Sequence, residues 1–399
     1  MQDSRQAGHR QTINDAASPL AGQNAGLLAS PRGRLQLWGA VAPGLEQLAL
    51  AELRDLGAGE PRLRQRGIAF SWPAERLVEL LQRLRSVEQL LVQLGKLDLH
   101  SADAVARLLR LVRSLGWLSA ASPVEFKIHA LAGATDKAAW WQHQCHAAAE
   151  LQPAEVVLAG MDTPALRQVL HVRCDRRHIE VALDPAGTPL SQRGYRLDPG
   201  EAPLRETTAA LLLRWAGMAQ GLAVWDPLCG SGTLAIEAAL WGQPLARSWA
   251  CQEWPGLDKQ LPGPPPQPDR PVLVEAGDLS ALAVECTRAN AQRAGVLAGL
   301  LIRQAEMGEW RDPPLPPQGL VVSNLPWGGR LGSRAEARRL VQRWAAVVKR
   351  RVPGWRAAVV VAEPQLVADL GLVHSEVLGT RSGGRAVWLV KGVVPGRTA

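Results

Sequence analysis

Aromatic side chains other than tryptophan are scarce in this 399-residue sequence: one Tyr and two Phe stand beside 15 Trp. Such an imbalance reads as nucleotide composition more than function, so a Trp carries weight only where its neighbours justify it. Long apolar runs are missing too. No stretch approaches the ~18 uninterrupted apolar residues of a membrane span, which argues against an integral membrane protein. The five cysteines (Cys145, Cys174, Cys229, Cys251 and Cys286) fall singly, with no Cys-x-x-Cys pair and no His at zinc-ligand spacing. They read as reduced thiols of a cytoplasmic protein, not as a disulfide scaffold or a structural zinc site. A polybasic tail is also lacking. The net charge of +8 is spread along the chain, which is compatible with a polyanionic partner without demanding one. Residues 1–33 have no apolar secretory core. They are acid-poor, as transit peptides are, but a disordered extension is expected there.

What is present suits a folded chain: 47% hydrophobic and 21% charged residues, with length for two or three domains. Periodicity predicts strand 34–41, a helix from Leu45 to Leu56, strand 68–72 and helix 74–84, a small α/β unit. A helix at 102–115, a strand at 124–130 and a helix at 138–151 follow. Strands 169–173 and 178–183 should form a hairpin about a polar turn. Arg173, Arg176 and Arg177 there suit either phosphate contact or a solvated turn. From residue 201 strands and helices alternate more strictly. Strands are expected at 223–225, 272–276, 300–303, 320–323, 357–362, 373–378 and 386–394, with helices at 204–215, 234–241, 281–294 and 334–351 and a proline-rich loop at 261–271. That alternation predicts a mainly parallel sheet, with the last two strands antiparallel because no helix fits between them.

Three strand ends carry chemistry. Asp226-Pro227-Leu228-Cys229-Gly230-Ser231-Gly232-Thr233 runs from a strand through a Gly-x-Gly turn into a helix, a geometry that brings backbone N–H groups close to a small molecule. Gly230-x-Gly232-x-x-Ala235 formally satisfies a dinucleotide fingerprint. Asp226, however, would repel a pyrophosphate and suits the ammonium of S-adenosylmethionine, and the next strand-ending acid, Asp278, lies well past the ~20 residues a dinucleotide fold expects. Asp278 is placed to accept from both ribose hydroxyls, and Glu306 to meet the adenine amine; alone, each also reads as a helix cap or a solvated acid. Ser323-Asn324-Leu325-Pro326-Trp327-Gly328 is the sharpest motif. Asn324 offers a side-chain oxygen, and the Leu325 carbonyl, fixed by Pro326, offers a second. Two such acceptors draw an exocyclic amine toward tetrahedral geometry and aim its lone pair at a methyl group. Trp327 provides a face on which a base stacks, worth roughly 1–3 kcal/mol. The bland alternative is a turn whose Trp merely packs. No Cys stands beside the motif, which disfavours a cytosine ring-carbon methylase.

Together, Asp226–Thr233 and Asn324–Trp327 resemble the class I S-adenosylmethionine-dependent methyltransferases that modify nucleobase amines. Asn-Leu-Pro-Trp in place of the commoner Asn-Pro-Pro-Tyr/Phe points to RNA guanine. The stretches from Leu183 to Arg196 and from Ala202 to Thr207 are similar to the junction between a THUMP and a methyltransferase domain in bacterial RNA guanine 2-amino methyltransferases, and residues 246–255 resemble a further element of that group. The resemblance implies an α/β fold. A Rossmann-like class I methyltransferase domain, with a mainly parallel seven-stranded sheet and an antiparallel last strand, follows a smaller ferredoxin-like plus THUMP region. The implied boundaries are a 1–33 extension, a 34–97 ferredoxin-like subdomain, a 98–195 THUMP RNA-binding domain and a 196–399 methyltransferase domain. It further implies S-adenosylmethionine as cofactor, Glu206 and Thr207 against its methionine end, and RNA as partner. A monomer acting on the 2-amino group of a guanosine is expected, in large-subunit ribosomal RNA ahead of transfer RNA, without metal or membrane. The basic helix bearing Arg338, Arg339, Arg343 and Arg350 suits phosphate contact or a solvated face equally. A DNA adenine 6-amino methyltransferase and a non-catalytic RNA-binding assembly factor are the competing readings.

Overall fold

Alternation of buried and part-exposed positions builds the first sheet. In β1 (Arg34–Ala40), Leu35 and Leu37 turn inward between exposed Arg34 and half-buried Gln36 and Trp38. The chain continues through α1 (Glu46–Asp55), β2 (Gly59–Arg64), β3 (Gly67–Pro73), a 3-10 turn at Ala74–Arg76, α2 (Leu77–Arg83) and β4 (Gln89–Asp98). It then adds β5 (Val124–Ala130), β6 (Gln168–Cys174) and β7 (His178–Asp184). The spatial order is β2-β3-β1-β4-β7-β6-β5. Residues 34–97 and 98–195 thus contribute strands to one sheet, joined where β4 pairs with β7. β6 and β7 pair antiparallel, as the hairpin reading required.

The computed structural model describes residues 33–64, 66–98, 124–130, 168–174, 178–197, 204–254, 273–309, 315–325 and 333–396. The expected helices at 102–115 and 138–151, the loop at 261–271, residues 1–32, the turn at 175–177, and Pro326 and Trp327 lie outside the described residues.

Short, buried, mostly apolar strands form the centre of the second sheet, where helices cover both faces. Its elements are α3 (Glu206–Trp215), β8 (Ala223–Asp226), α4 (Thr233–Ala239), β9 (Val274–Asp278), α5 (Ala281–Arg293), β10 (Leu300–Gln304) and β11 (Gly319–Asn324). α6 (Arg334–Arg351), β12 (Arg356–Val361), α7 (Leu366–Asp369), β13 (Val373–Ser382) and β14 (Arg385–Val393) complete it. The order is β10-β9-β8-β11-β12-β14-β13. Pairings from β10 through β12 are parallel, and β14 runs antiparallel to both of its neighbours. One apolar core runs from Leu35, Leu53 and Leu80 of the first half into Leu212, Ile236 and Val322 of the second. Trp225, Val321, Trp344 and Trp355 form another core on the opposite face, under α6.

The halves meet at a buried ionic joint. Glu237 of α4 accepts from the Tyr195 hydroxyl (3.1 Å) and from Arg193 Nε (3.4 Å), and Arg85 Nη1 lies 3.8 Å from its second oxygen. Burial pushes the Arg85 guanidinium down to about 10 despite Glu237. Residues 247–254 clasp the other side: Cys251 N–H donates to the Pro185 carbonyl (2.9 Å), and Trp254 Nε1 donates to Gln168 Oε1 (2.8 Å). Gly44, at φ +85°, lets the first half approach β13 closely; a Cβ there would sit 2.3 Å from the Gly379 carbonyl oxygen. Among the described residues no helix is long and apolar enough to cross a membrane.

Candidate active site

Register brings the predicted acids and the amide motif to one edge. Asp226 ends β8 level with Ala276; Asp278, two residues on, is level with Gln304. On the other side of β8, Val321 is level with Trp225, so β11 carries Asn324 beyond the end of β8. Carboxyl ends of adjacent parallel strands flanking the first βα turn are where open α/β sheets bind ligands.

The turn after β8 is held from beneath. Gly230 and Gly232 both adopt left-handed conformations, at φ +54° and +84°. A Cβ on Gly232 would meet the Thr287 side chain at 2.8 Å, so this glycine lets α4 pack against α5. A Cβ on Gly230 would point into open space. Thr287 Oγ1 donates to the Gly230 carbonyl (2.8 Å) and Asn290 Nδ2 to the Ser231 carbonyl (3.0 Å). Anchoring these carbonyls fixes the peptide planes of the turn. Sequence reading missed Thr287 and Asn290. Their signal was present: they occupy the buried stripe of α5 that Val284 and Ala291 mark, where polar residues need partners.

Asp226 is buried, and desolvation pushes its carboxyl up to about 8; the nearby Asp278 charge adds to the rise, and the Leu228 N–H opposes it. Asp278 accepts from Gly230 N–H through Oδ2 (3.1 Å) and from Ser280 N–H through Oδ1 (3.0 Å). The helix cap is Ser280, whose hydroxyl accepts from Ala283 N–H, so capping does not account for Asp278. A carboxylate offers about four acceptor sites, which leaves Asp278 capacity for a ligand. Thr207 and Thr233, both expected at the site, keep buried hydroxyls with no hydrogen-bond partner, as does Thr208. Buried hydroxyls without partners are costly, and here they lie in the helix-opening segments of α3 and α4. An open-faced glycine turn, unsatisfied hydroxyls and a buried acid together fit a small polar ligand bearing an ammonium group.

Comparison with known proteins bears on the domain that carries this turn. Residues 193–384 match the family model described as RMKL-like, methyltransferase domain. A ribosomal RNA large subunit methyltransferase K/L from Ectopseudomonas mendocina is 31% identical over 362 residues, covering 82% of this chain and 48% of that protein. Its namesake from Alcanivorax borkumensis is 30% identical over 352 residues, covering 83% and 48%. The chain therefore spans about half the length of these relatives. The crystal structure of a predicted N6-adenine-specific DNA methylase from Listeria monocytogenes superposes with TM-score 0.71 at 22% identity, covering 90% of this chain and 96% of that one. The C-terminal half is a Rossmann-like class I methyltransferase domain.

The remaining expected residues of the methyltransferase domain divide by environment. Glu206 is buried and paired with Arg196 (3.0 Å); burial raises its carboxyl while Arg196 opposes the rise. Glu306 is held by Arg343 of α6. Arg334 and Arg338 of the same helix pair with Glu363 (3.1 Å) and Asp369 (3.0 Å). Three arginines of the basic helix are thus engaged by carboxylates of the domain itself. Pro227 follows Asp226 in the turn. Asn324 is half-buried at the end of β11, and Leu325 is buried, its N–H donating to the Val360 carbonyl at 3.1 Å.

Proposed function

We propose that the chain transfers a methyl group from S-adenosylmethionine to the exocyclic 2-amino group of a guanosine in large-subunit ribosomal RNA. The observation that carries this reading is the pairing of β8 with β11, which sets the glycine turn beside Asn324 and Leu325 in a methyltransferase domain. Two relatives that align with about four-fifths of this chain at 30–31% identity are named for large-subunit ribosomal RNA, which supports that substrate over transfer RNA. S-adenosylmethionine supplies, when bound, a methyl group on an electrophilic sulfonium.

The residues that would hold it are those of the turn. Asp226 would meet the ammonium, Gly230 and Gly232 would admit close backbone approach, and Thr207, Thr208 and Thr233 would find partners for their hydroxyls. Asp278 would take the ribose and Glu306, within reach of Arg343, the adenine edge. Asn324 and the Leu325 carbonyl hold the two amine protons. The nitrogen lone pair thereby leaves conjugation with the ring and is directed at the methyl. As the N–C bond forms, the S–C bond would break with its electron pair staying on sulfur, and the methylated amine would release one proton to water. Rate acceleration comes from that alignment, without a covalent enzyme intermediate. Trp327 would stack the extruded base, and the sheet of β1 to β7 would deliver the RNA.

The test is label transfer from tritiated S-adenosylmethionine to unmodified large-subunit ribosomal RNA, bulk transfer RNA and duplex DNA, with the products digested to nucleosides. Label in 2-methylguanosine from the ribosomal arm is expected. Label confined to the transfer RNA arm moves the substrate, and label in 6-methyladenosine from DNA overturns the reading.

A further inference from the structure

Beneath Asn324 the structure holds a bond that neither cofactor nor substrate needs for contact. Strand alternation turns Val321, Ser323 and Leu325 toward α6, and Leu320 and Val322 toward the opposite core. Ser323 and Trp344 are both completely buried. The Trp344 indole Nε1–H donates to Ser323 Oγ at 2.9 Å, and Ser323 Oγ donates in turn to the Val322 carbonyl at 2.5 Å. On the β12 side, the Leu325 N–H is held by Val360. The strand end carrying the two proposed amine acceptors is therefore held on one flank by the sheet, and the Trp344 indole holds its Ser323 from the α6 side.

We infer that Trp344 is a positioning residue for methyl transfer, acting through Ser323 to set the direction of Asn324 and of the Leu325 carbonyl. The inference rests on the amine-aiming reading above and adds a residue to it. Packing alone does not explain the pair. An apolar residue in place of Ser323 and a Phe in place of Trp344 would fill that core without a buried hydroxyl or an indole N–H to satisfy. A polar link across the apolar seam between β11 and the buried face of α6 specifies one orientation of the strand end. Attack in line with a methyl tolerates little error in that orientation, since misplacement by ~1 Å costs on the order of 100-fold in rate.

Steady-state methyl transfer to unmodified large-subunit ribosomal RNA tests this with Trp344→Phe, Ser323→Ala and the double variant, alongside thermal melting and calorimetric binding of S-adenosylhomocysteine. Each single variant is expected to lose at least about 10-fold in kcat while KM for RNA and cofactor affinity stay within about 2-fold. The double variant should be no worse than either single one, because both remove the same bond. If the parent protein transfers no methyl group to RNA, the underlying reading fails first. If the parent is active and both single variants keep kcat within about 2-fold, the positioning role is refuted. Loss of kcat only in step with lost folding or cofactor binding also refutes it, by showing Trp344 to be structural. Ser323→Ala keeps the indole in place and serves if Trp344→Phe does not fold.

Discussion

Asp226→Asn should stabilise the unliganded protein while abolishing cofactor affinity, and the stabilisation should grow with pH. Burial holds the Asp226 carboxyl protonated up to about 8, against 3.8 for the exposed group. Between those values the folded chain binds a proton that the unfolded chain has released. Stability conferred by this group is therefore complete at low pH, falls as pH rises through the window, and levels off above about 8. Asparagine is neutral in both states and keeps an oxygen for the Leu228 N–H, so its variant escapes that decline. At about 1.4 kcal/mol per unit, the gap between variant and parent should widen by roughly 3–4 kcal/mol from pH 5 to pH 8. Urea denaturation of both proteins across that range, without cofactor, measures the gap directly. Calorimetric titration of the parent with S-adenosylhomocysteine, in two buffers of different ionisation enthalpy, should show release of up to one proton below pH 8, because the arriving ammonium ionises Asp226. A gap that stays flat with pH would mean that the carboxyl is already ionised in the folded chain, and the reasoning would be wrong.

Other perturbations act on separate parts of the molecule. Glu237→Gln leaves Arg193 and Arg85 buried without their counter-charge and should cost about 3–5 kcal/mol in urea denaturation. Gly232→Ala places a methyl 2.8 Å from Thr287 at φ +84° and should cost roughly 1–3 kcal/mol in the same assay, with weaker S-adenosylhomocysteine binding. Asp278→Ala removes the acceptor of the Gly230 and Ser280 amides; it should weaken cofactor binding by ~10-fold or more in calorimetry while leaving RNA retention on filters unchanged.

The centre of the second sheet was legible because its strands are buried on both faces. Val321-Val322 and Ala357–Val361 read as apolar runs, and the α6 bounds expected from periodicity match the helix found. β2 was not legible: Gly-Glu-Pro-Arg-Leu-Arg has no alternation to betray a largely exposed edge strand. β4 escaped for the opposite reason. Its Leu90, Leu91, Val92 and Leu94 cluster as readily on a helix, and only pairing with both β1 and β7 makes it a strand. The placement of Asp226 and Asp278 at strand ends and of Gly232 at a helix start could be read because a change of hydrophobic period marks each boundary. The Glu237 joint and the Ser323–Trp344 bond could not. They connect residues distant in sequence, and each partner looks locally like an ordinary buried or surface side chain.

Methyl transfer depends most on how Asn324 holds the substrate amine. Single-turnover methyl transfer to large-subunit ribosomal RNA, with S-adenosylhomocysteine affinity measured in parallel, should show Asn324→Ala losing at least ~1,000-fold in rate with cofactor affinity nearly unchanged. Near-parental turnover by that variant would contradict that dependence.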